Sequence, residues 1–164
     1  MDNKEKEFEK IIHAHKDVIY TTCYMFSKDE NEVADLFQET LINIWKGINK
    51  SSAEILTATK DIQKAWIYRV TLNTCISLDR KKKKHCTVSL DMNINLFSDT
   101  DSRTRQADML HKRICALQPF DRAIILLWLE DISYEEIGNI LGMSVKNVSV
   151  RLLRIKEALK KNID

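Results

Sequence analysis

Phe8, Ile11, Ile12, His15, Ile19, Cys23 and Phe26 recur at intervals of three and four, the stripe of one helix face. The polar stretch from Lys28 to Glu32 breaks it. A second helix is expected to start at Asp29 or Asn31, either of which can accept from the free N–H groups of a first turn. It would carry Val33, Leu36, Phe37, Thr40, Leu41, Ile44, Trp45 and Ile48 on one face, with Gly47 and Asn49 marking its end. The polar, irregular stretch from Gly47 to Lys64 then reads as a connection with about one helical turn. From about Asp61 a long helix runs through Trp66, Ile67, Val70, Thr74 and Leu78 into five consecutive cations. Between His85 and Met109 the periodicity disappears and Ser, Thr, Asn and Asp dominate, as in a linker between two domains.

Apolar spacing resumes at Ala107, Leu110, Ile114 and Leu117, and Pro119 opens a new helix, where its missing N–H costs nothing. The run AIILLWLE is that helix's buried centre. Ser133-Tyr134-Glu135-Glu136 forms a capping box, Gly142 supplies the left-handed position that ends a helix, and Ser144 caps another two residues later. That arrangement is a helix-turn-helix. The last helix gathers Val148, Leu152, Ile155 and Leu159 within about 60° of arc, while Lys146, Asn147, Ser149, Val150, Leu153 and Arg154 point away and Arg151 lies at the margin. The expected fold is all-α: two small helical domains, 1–86 and 107–164, joined by a flexible linker over 87–106, with the helix-turn-helix in the second.

Composition narrows the alternatives. Among 164 residues there are only three Gly and one Pro, far below the roughly 12% these two residues average together, which excludes most turn-rich β folds. The four cysteines form no CxxC pair, the N-terminus lacks the apolar stretch of a signal peptide, and no apolar run reaches the roughly 18 residues of a membrane span. A soluble protein of the reduced cytoplasm is expected. A net charge of +2 selects no partner, so the placement of charge must do so.

Lys146, Arg151, Arg154, Lys156, Lys160 and Lys161 stand against the single acid Glu157 on the last helix, a face suited to a DNA major groove or simply to solvent. The opposite charge gathers at Asp29, Glu30, Glu32, Asp35 and Glu39. Acid near a helix start complements the macrodipole, but Asp35 and Glu39, four apart with Gln38 adjacent, also suit a basic protein surface. Evidence for catalysis is poor. His13 and His15 lie about 200° apart on a helix and cannot clasp one metal; HExxH, phosphate-cradling glycine loops and GxSxG elbows are all missing. No catalytic residue, metal, cofactor or small-molecule substrate is therefore expected.

The stretches VADLFQETLINIWK, AWIYRVTLNTCISLDRKKKK and LQPFDRAIILLWLEDISYEEIGNILGMSVKNVSVRLLRIKEALKK together resemble a bacterial extracytoplasmic-function (ECF) sigma factor. The resemblance implies binding to core RNA polymerase, through its β′ clamp and β subunit, and to promoter DNA, with no catalysis. Asp35, Gln38 and Glu39 match the helix that docks on the clamp. Asn73 matches a position lining the site for an extruded base of the -10 element, and Arg69, Arg80, Lys81, Lys82, Lys83 and Lys84 would follow the strand backbone. Trp66 and Tyr68 could stack on bases, although the apolar stripe favours core packing. Lys146, Asn147, Ser149, Val150, Arg151, Leu153 and Arg154 match the face that reads the -35 element. Ser149 and Leu127 stand where the family often carries cations, which removes two DNA contacts, and Asp131 replaces a common Gly. The resemblance also implies inhibition by an anti-sigma factor, often membrane-anchored. A helix-turn-helix regulator that acts without polymerase is the alternative.

Overall fold

The computed structural model describes residues 2–85 and 102–161, and within these all side chains except those of 51–53, 82–85 and 102–104. The described residues form seven helices and no strand: α1 (Asn3–Met25), α2 (Glu30–Leu56), α3 (Lys60–His85), α4 (Ser102–Cys115), α5 (Pro119–Leu129), α6 (Tyr134–Leu141) and α7 (Val145–Lys161). None is long and apolar enough to cross a membrane. Of the stretch expected as linker, residues 87–101 lie outside the described ones, whereas 102–106 belong to α4.

Helix starts follow local chemistry. Asp29 caps α2 by accepting from the Glu32 N–H at 2.9 Å, and the Glu32 carboxylate accepts from the Lys28 N–H at 2.6 Å. Pro119 sits in the first turn of α5. The expectation that α2 ends at Gly47 is incorrect: the helix continues to Leu56, and Thr57 to Thr59 alone connect it to α3. Gly47 serves packing instead. A Cβ there would lie 2.6 Å from Cζ2 of Trp66, so the missing side chain makes room for the indole of α3. That contact offsets the roughly 1 kcal/mol by which Gly is inferior to Ala inside a helix.

α1, α2 and α3 pack around Ile11, Ile19, Cys23, Leu36, Ile44, Ile48, Ile67, Tyr68 and Leu72, all buried. The central run of α5, Ala123, Ile124, Ile125, Leu126 and Leu127, is apolar all round because it is covered on two sides. Ile124 and Ile125 join Ile114, Leu152 and Ile155 in a second cluster, while Ala123, Leu126 and Leu127 share one cluster with Ile137, Ile140 and Val148 and with the α1–α3 core. α5 and α6 touch α3, and α4 and α5 touch α1, so the two halves of the chain are packed together.

His15 interrupts α1 with φ -118° and ψ 15° and is buried. Burial holds its pKa below the ordinary 6.5; a hydrogen bond with Gln63 opposes the shift, and Lys64 and Lys60 add to it. The unfolded chain therefore takes up a proton below its own pKa while the folded chain resists, and stability contributed by neutral His15 is lost as pH falls through that window. Urea midpoints of the native protein should fall more steeply from pH 7 to 5 than those of His15→Leu; equal slopes would remove His15 as the cause.

Candidate nucleic-acid and protein interfaces

Short-range bonds build the helix-turn-helix. Asp131 takes φ 59°, the left-handed conformation an Asp adopts at modest cost, and Ser133 caps α6 by accepting from the Glu136 N–H at 3.2 Å. Gly142, at φ 70° and ψ 39°, ends α6, and the Met143 N–H donates to the Gly138 carbonyl at 2.9 Å. Ser144 then accepts from the Asn147 N–H at 3.2 Å and starts α7.

α7 divides as its periodicity predicts. Val148, Leu152 and Ile155 are buried, whereas Lys146, Asn147, Ser149, Val150, Leu153 and Arg154 are exposed. Leu153, 61% exposed, and Val150, 42%, are apolar groups held in water on a basic face, the kind of side chain that meets thymine methyls in a major groove. Arg151 is half-buried. Its Nε lies 3.6 Å from Oδ1 of Asp121, and its guanidinium stacks 5.0 Å over the Phe120 ring. Lys156 is similarly engaged, 3.9 Å over the Trp128 ring. The sequence missed both tethers, because their partners lie on α5.

On α3, Arg69 and Asn73 are exposed one turn apart, and Arg80 and Lys81 are exposed near its end. The side chains of Lys82, Lys83 and Lys84 lie outside the described residues. Tyr68 is only 2% exposed, and burial pushes its phenol up to about 12, so its ring belongs to the core. Trp66 is half-buried against Gly47. Neither ring presents itself for base stacking. Asn43 of α2 donates to the Thr74 hydroxyl at 2.9 Å and ties the two helices together beside this surface.

Asp35 and Gln38 are exposed on α2 and Glu39 is partly so, while Leu36, Thr40 and Ile44 are buried behind them. Ile42, 46% exposed, extends the acidic row by one turn. Reading helical spacing outward from Asp35 and Gln38 would have found it. Leu127, expected as a missing DNA contact, is fully buried and faces no nucleic acid.

Sequence reasoning also missed the joint between the halves. Arg122 is 5% exposed; its Nη1 lies 3.7 Å from Oδ1 of Asp79, its Nη2 donates to the Leu117 carbonyl at 3.0 Å, and it stacks 5.1 Å over Phe26. A cavity of about 300 Å³ beside it is lined by Phe26, Leu36, Cys75, Asp79 and Cys115 among others. Burial raises the pKa of the Cys115 thiol, which keeps it a poor nucleophile. His111 stacks on Tyr24, centroids 4.3 Å apart, and its Nε2 donates to the Tyr24 carbonyl at 2.8 Å. Among the described residues no three His, Cys, Asp or Glu side chains are grouped as a metal site requires.

The family Sigma-70 region 2 matches residues 11–85, and Sigma-70, region 4 matches residues 107–159. The chain is 26% identical to the ECF RNA polymerase sigma factor SigW of Bacillus subtilis (strain 168), covering 95% of this chain and 88% of that protein. It is 29% identical to the RNA polymerase sigma factor SigV of the same organism, covering 89% and 84%. The fold is similar to that of the sigma factor RpoE from Bartonella quintana, solved with the anti-sigma factor NepR, at a TM-score of 0.68, 20% identity and coverage of 97% of this chain and 99% of that one. CnrH, solved with the cytosolic domain of CnrY, gives a TM-score of 0.66 at 20% identity, covering 96% and 87%.

Proposed function

Because this chain belongs to the ECF sigma factors of the sigma-70 family, we propose that its two halves divide promoter recognition between them while one helix holds the polymerase. The protein directs RNA polymerase to promoters in transcription initiation; family membership gives it no catalytic chemistry of its own. Residues 1–86 take the polymerase and the -10 element, and residues 107–164 take the -35 element. The observation that carries this reading is the order of the two family regions on one chain, with the outward face of α7 free of the core.

Asp35, Gln38 and Glu39 offer negative charge to the β′ clamp. Arg69, Arg80 and Lys81, with Lys82, Lys83 and Lys84 beyond them, follow the -10 strand, and Asn73 meets its extruded base. Separating four or five base steps costs about 6 to 7 kcal/mol at roughly 1.4 kcal/mol per step. Neutralised phosphates bind duplex and single strand alike, so opening must be coupled to the polymerase, and capture of an unstacked base adds selectivity for the melted state. In α7, Lys146, Asn147, Ser149, Val150, Arg151, Leu153 and Arg154 read the -35 element. An anti-sigma factor is the fitting inhibitor, as the relatives solved with NepR and CnrY suggest.

Mixing the purified chain with core polymerase and candidate promoters should yield promoter-dependent transcripts. Tight binding to duplex DNA alone with no transcript from any promoter would favour the polymerase-independent regulator. Arg154→Ala should cost about 1 to 3 kcal/mol of -35 binding and relax selectivity at one base position if that side chain reads a base. An equal loss on every duplex, with a shallower salt slope, would make it a phosphate contact.

A further inference from the structure

Two cations of α7 are held by side chains of α5. The Arg151 guanidinium lies 5.0 Å over the Phe120 ring with its Nε 3.6 Å from Oδ1 of Asp121, and the Lys156 ammonium lies 3.9 Å over the Trp128 ring. Both cations are half-buried, whereas Lys146 and Arg154 are exposed and, among the described residues, no ion pair or ring holds them. Counted at roughly 100° per residue, Arg151 stands about 40° outside one edge of the buried stripe of Val148, Leu152 and Ile155, and Lys156 about 40° outside the other. The tethered pair therefore borders the outward face on both sides. Phe120 and Trp128 are themselves packed against the cluster of Ile114, Ile124, Ile125, Leu152 and Ile155, so the core of this half of the chain fixes where the two charges sit.

We propose that Phe120 and Trp128 are positioning residues for -35 recognition, holding Arg151 and Lys156 as a pair of phosphate clamps, one for each backbone that walls the groove. The inference rests on the assignment of α7 to the -35 element. Size supports it, since a helix about 10–12 Å across fills a major groove about 12 Å wide. With the outward face toward the base edges, side chains at its two margins meet opposite phosphate strands. A phosphate stands at the same place whatever the base. A cation fixed in advance suits that target, because a long flexible side chain otherwise loses rotamer freedom when it binds. Ring faces suit the task better than carboxylates would, since they hold a cation without neutralising it. Lys156 keeps N–H donors for a phosphate, and Asp121 approaches Arg151 at Nε, leaving the terminal nitrogens to make the contact. Lys146 and Arg154, untethered on the outward face, stay adjustable to whichever base edges they meet.

Holoenzyme assembled from the full chain and core polymerase, titrated at several salt concentrations with promoter duplexes carrying an intact or a scrambled -35 element, tests this. Arg151→Gln and Lys156→Gln, which alter no ring of the core, should each weaken both duplexes equally and lower the salt slope by about 0.9. Phe120→Leu and Trp128→Leu remove a ring but no charge, and should each weaken both duplexes about threefold to tenfold, the reach of one cation–ring contact. Phe120→Tyr and Trp128→Phe keep a ring and should restore most of that loss. Each ring must act through its cation, so Trp128→Leu should cost nothing further in Lys156→Gln, and Phe120→Leu nothing further in Arg151→Gln. Additive losses in either cycle would make that ring an ordinary packing residue and overturn its positioning role. Tighter binding by the Leu variants would overturn it too, because the rings would then be withholding the cations from DNA. A lost preference for the intact element with an unchanged salt slope in the Gln variants would make the two cations base readers and overturn the clamps. Failure of the underlying assignment shows separately, as a native holoenzyme that binds the intact and scrambled duplexes alike.

Discussion

Asp35→Lys combined with Glu39→Lys is expected to weaken binding to core RNA polymerase about a hundredfold, equivalent to about 2.7 kcal/mol, and to remove promoter-dependent transcription at limiting protein. The magnitude follows from the kind of contact. Close charge pairs across an interface couple by about 1.5 kcal/mol or more each, and reversal replaces attraction by repulsion at two points of the same row. Helical content should not change, because Asp35 is exposed and Glu39 partly so, and the α2 cap depends on Asp29 and Glu32 instead. Titrating labelled protein with core polymerase, alongside circular dichroism, separates the outcomes. Native affinity in the variant would return the acidic cluster to a purely helix-start role.

Arg122→Ala is expected to cost about 3 kcal/mol of stability, the scale on which removing one member of a buried ion pair leaves the other charge uncompensated. The guanidinium pairs with Asp79, donates to the Leu117 carbonyl and lies over the Phe26 ring. Arg122→Lys should recover only part of the loss, since an ammonium cannot make the forked and stacked contacts at once. Urea unfolding of the full chain at constant salt provides the comparison. A loss below about 1 kcal/mol would place Arg122 in the range of exposed pairs, contrary to its burial.

Both variants touch features of different legibility. The acidic row is written at helical spacing within α2, and its exposure follows from the burial of Leu36, Thr40 and Ile44 on the other side. The Arg122–Asp79 pair is invisible in the chain, because nothing near either residue announces the other. Gly47 departs from its local signal for a related reason. Glycine does end helices, but whether it ends this one depended on Trp66, which arrives from another helix and needs the space.

What the amino-acid sequence determined by itself was whatever is settled within one or two turns of backbone. Asp29, Ser133, Gly142 and Ser144 start and stop helices through bonds to near neighbours, Pro119 starts one through its fixed backbone angle, and the spacing of Val148, Leu152 and Ile155 divides α7 into a buried and an outward face. The tertiary structure alone decided which faces meet: Arg69 against Asn139, Arg122 against Asp79, Arg151 against Asp121, and the two halves of the chain against each other. Local order is set by capping and periodicity, which act along the backbone. Long-range pairing is set by the shape and charge of surfaces that exist only after the helices have formed and packed.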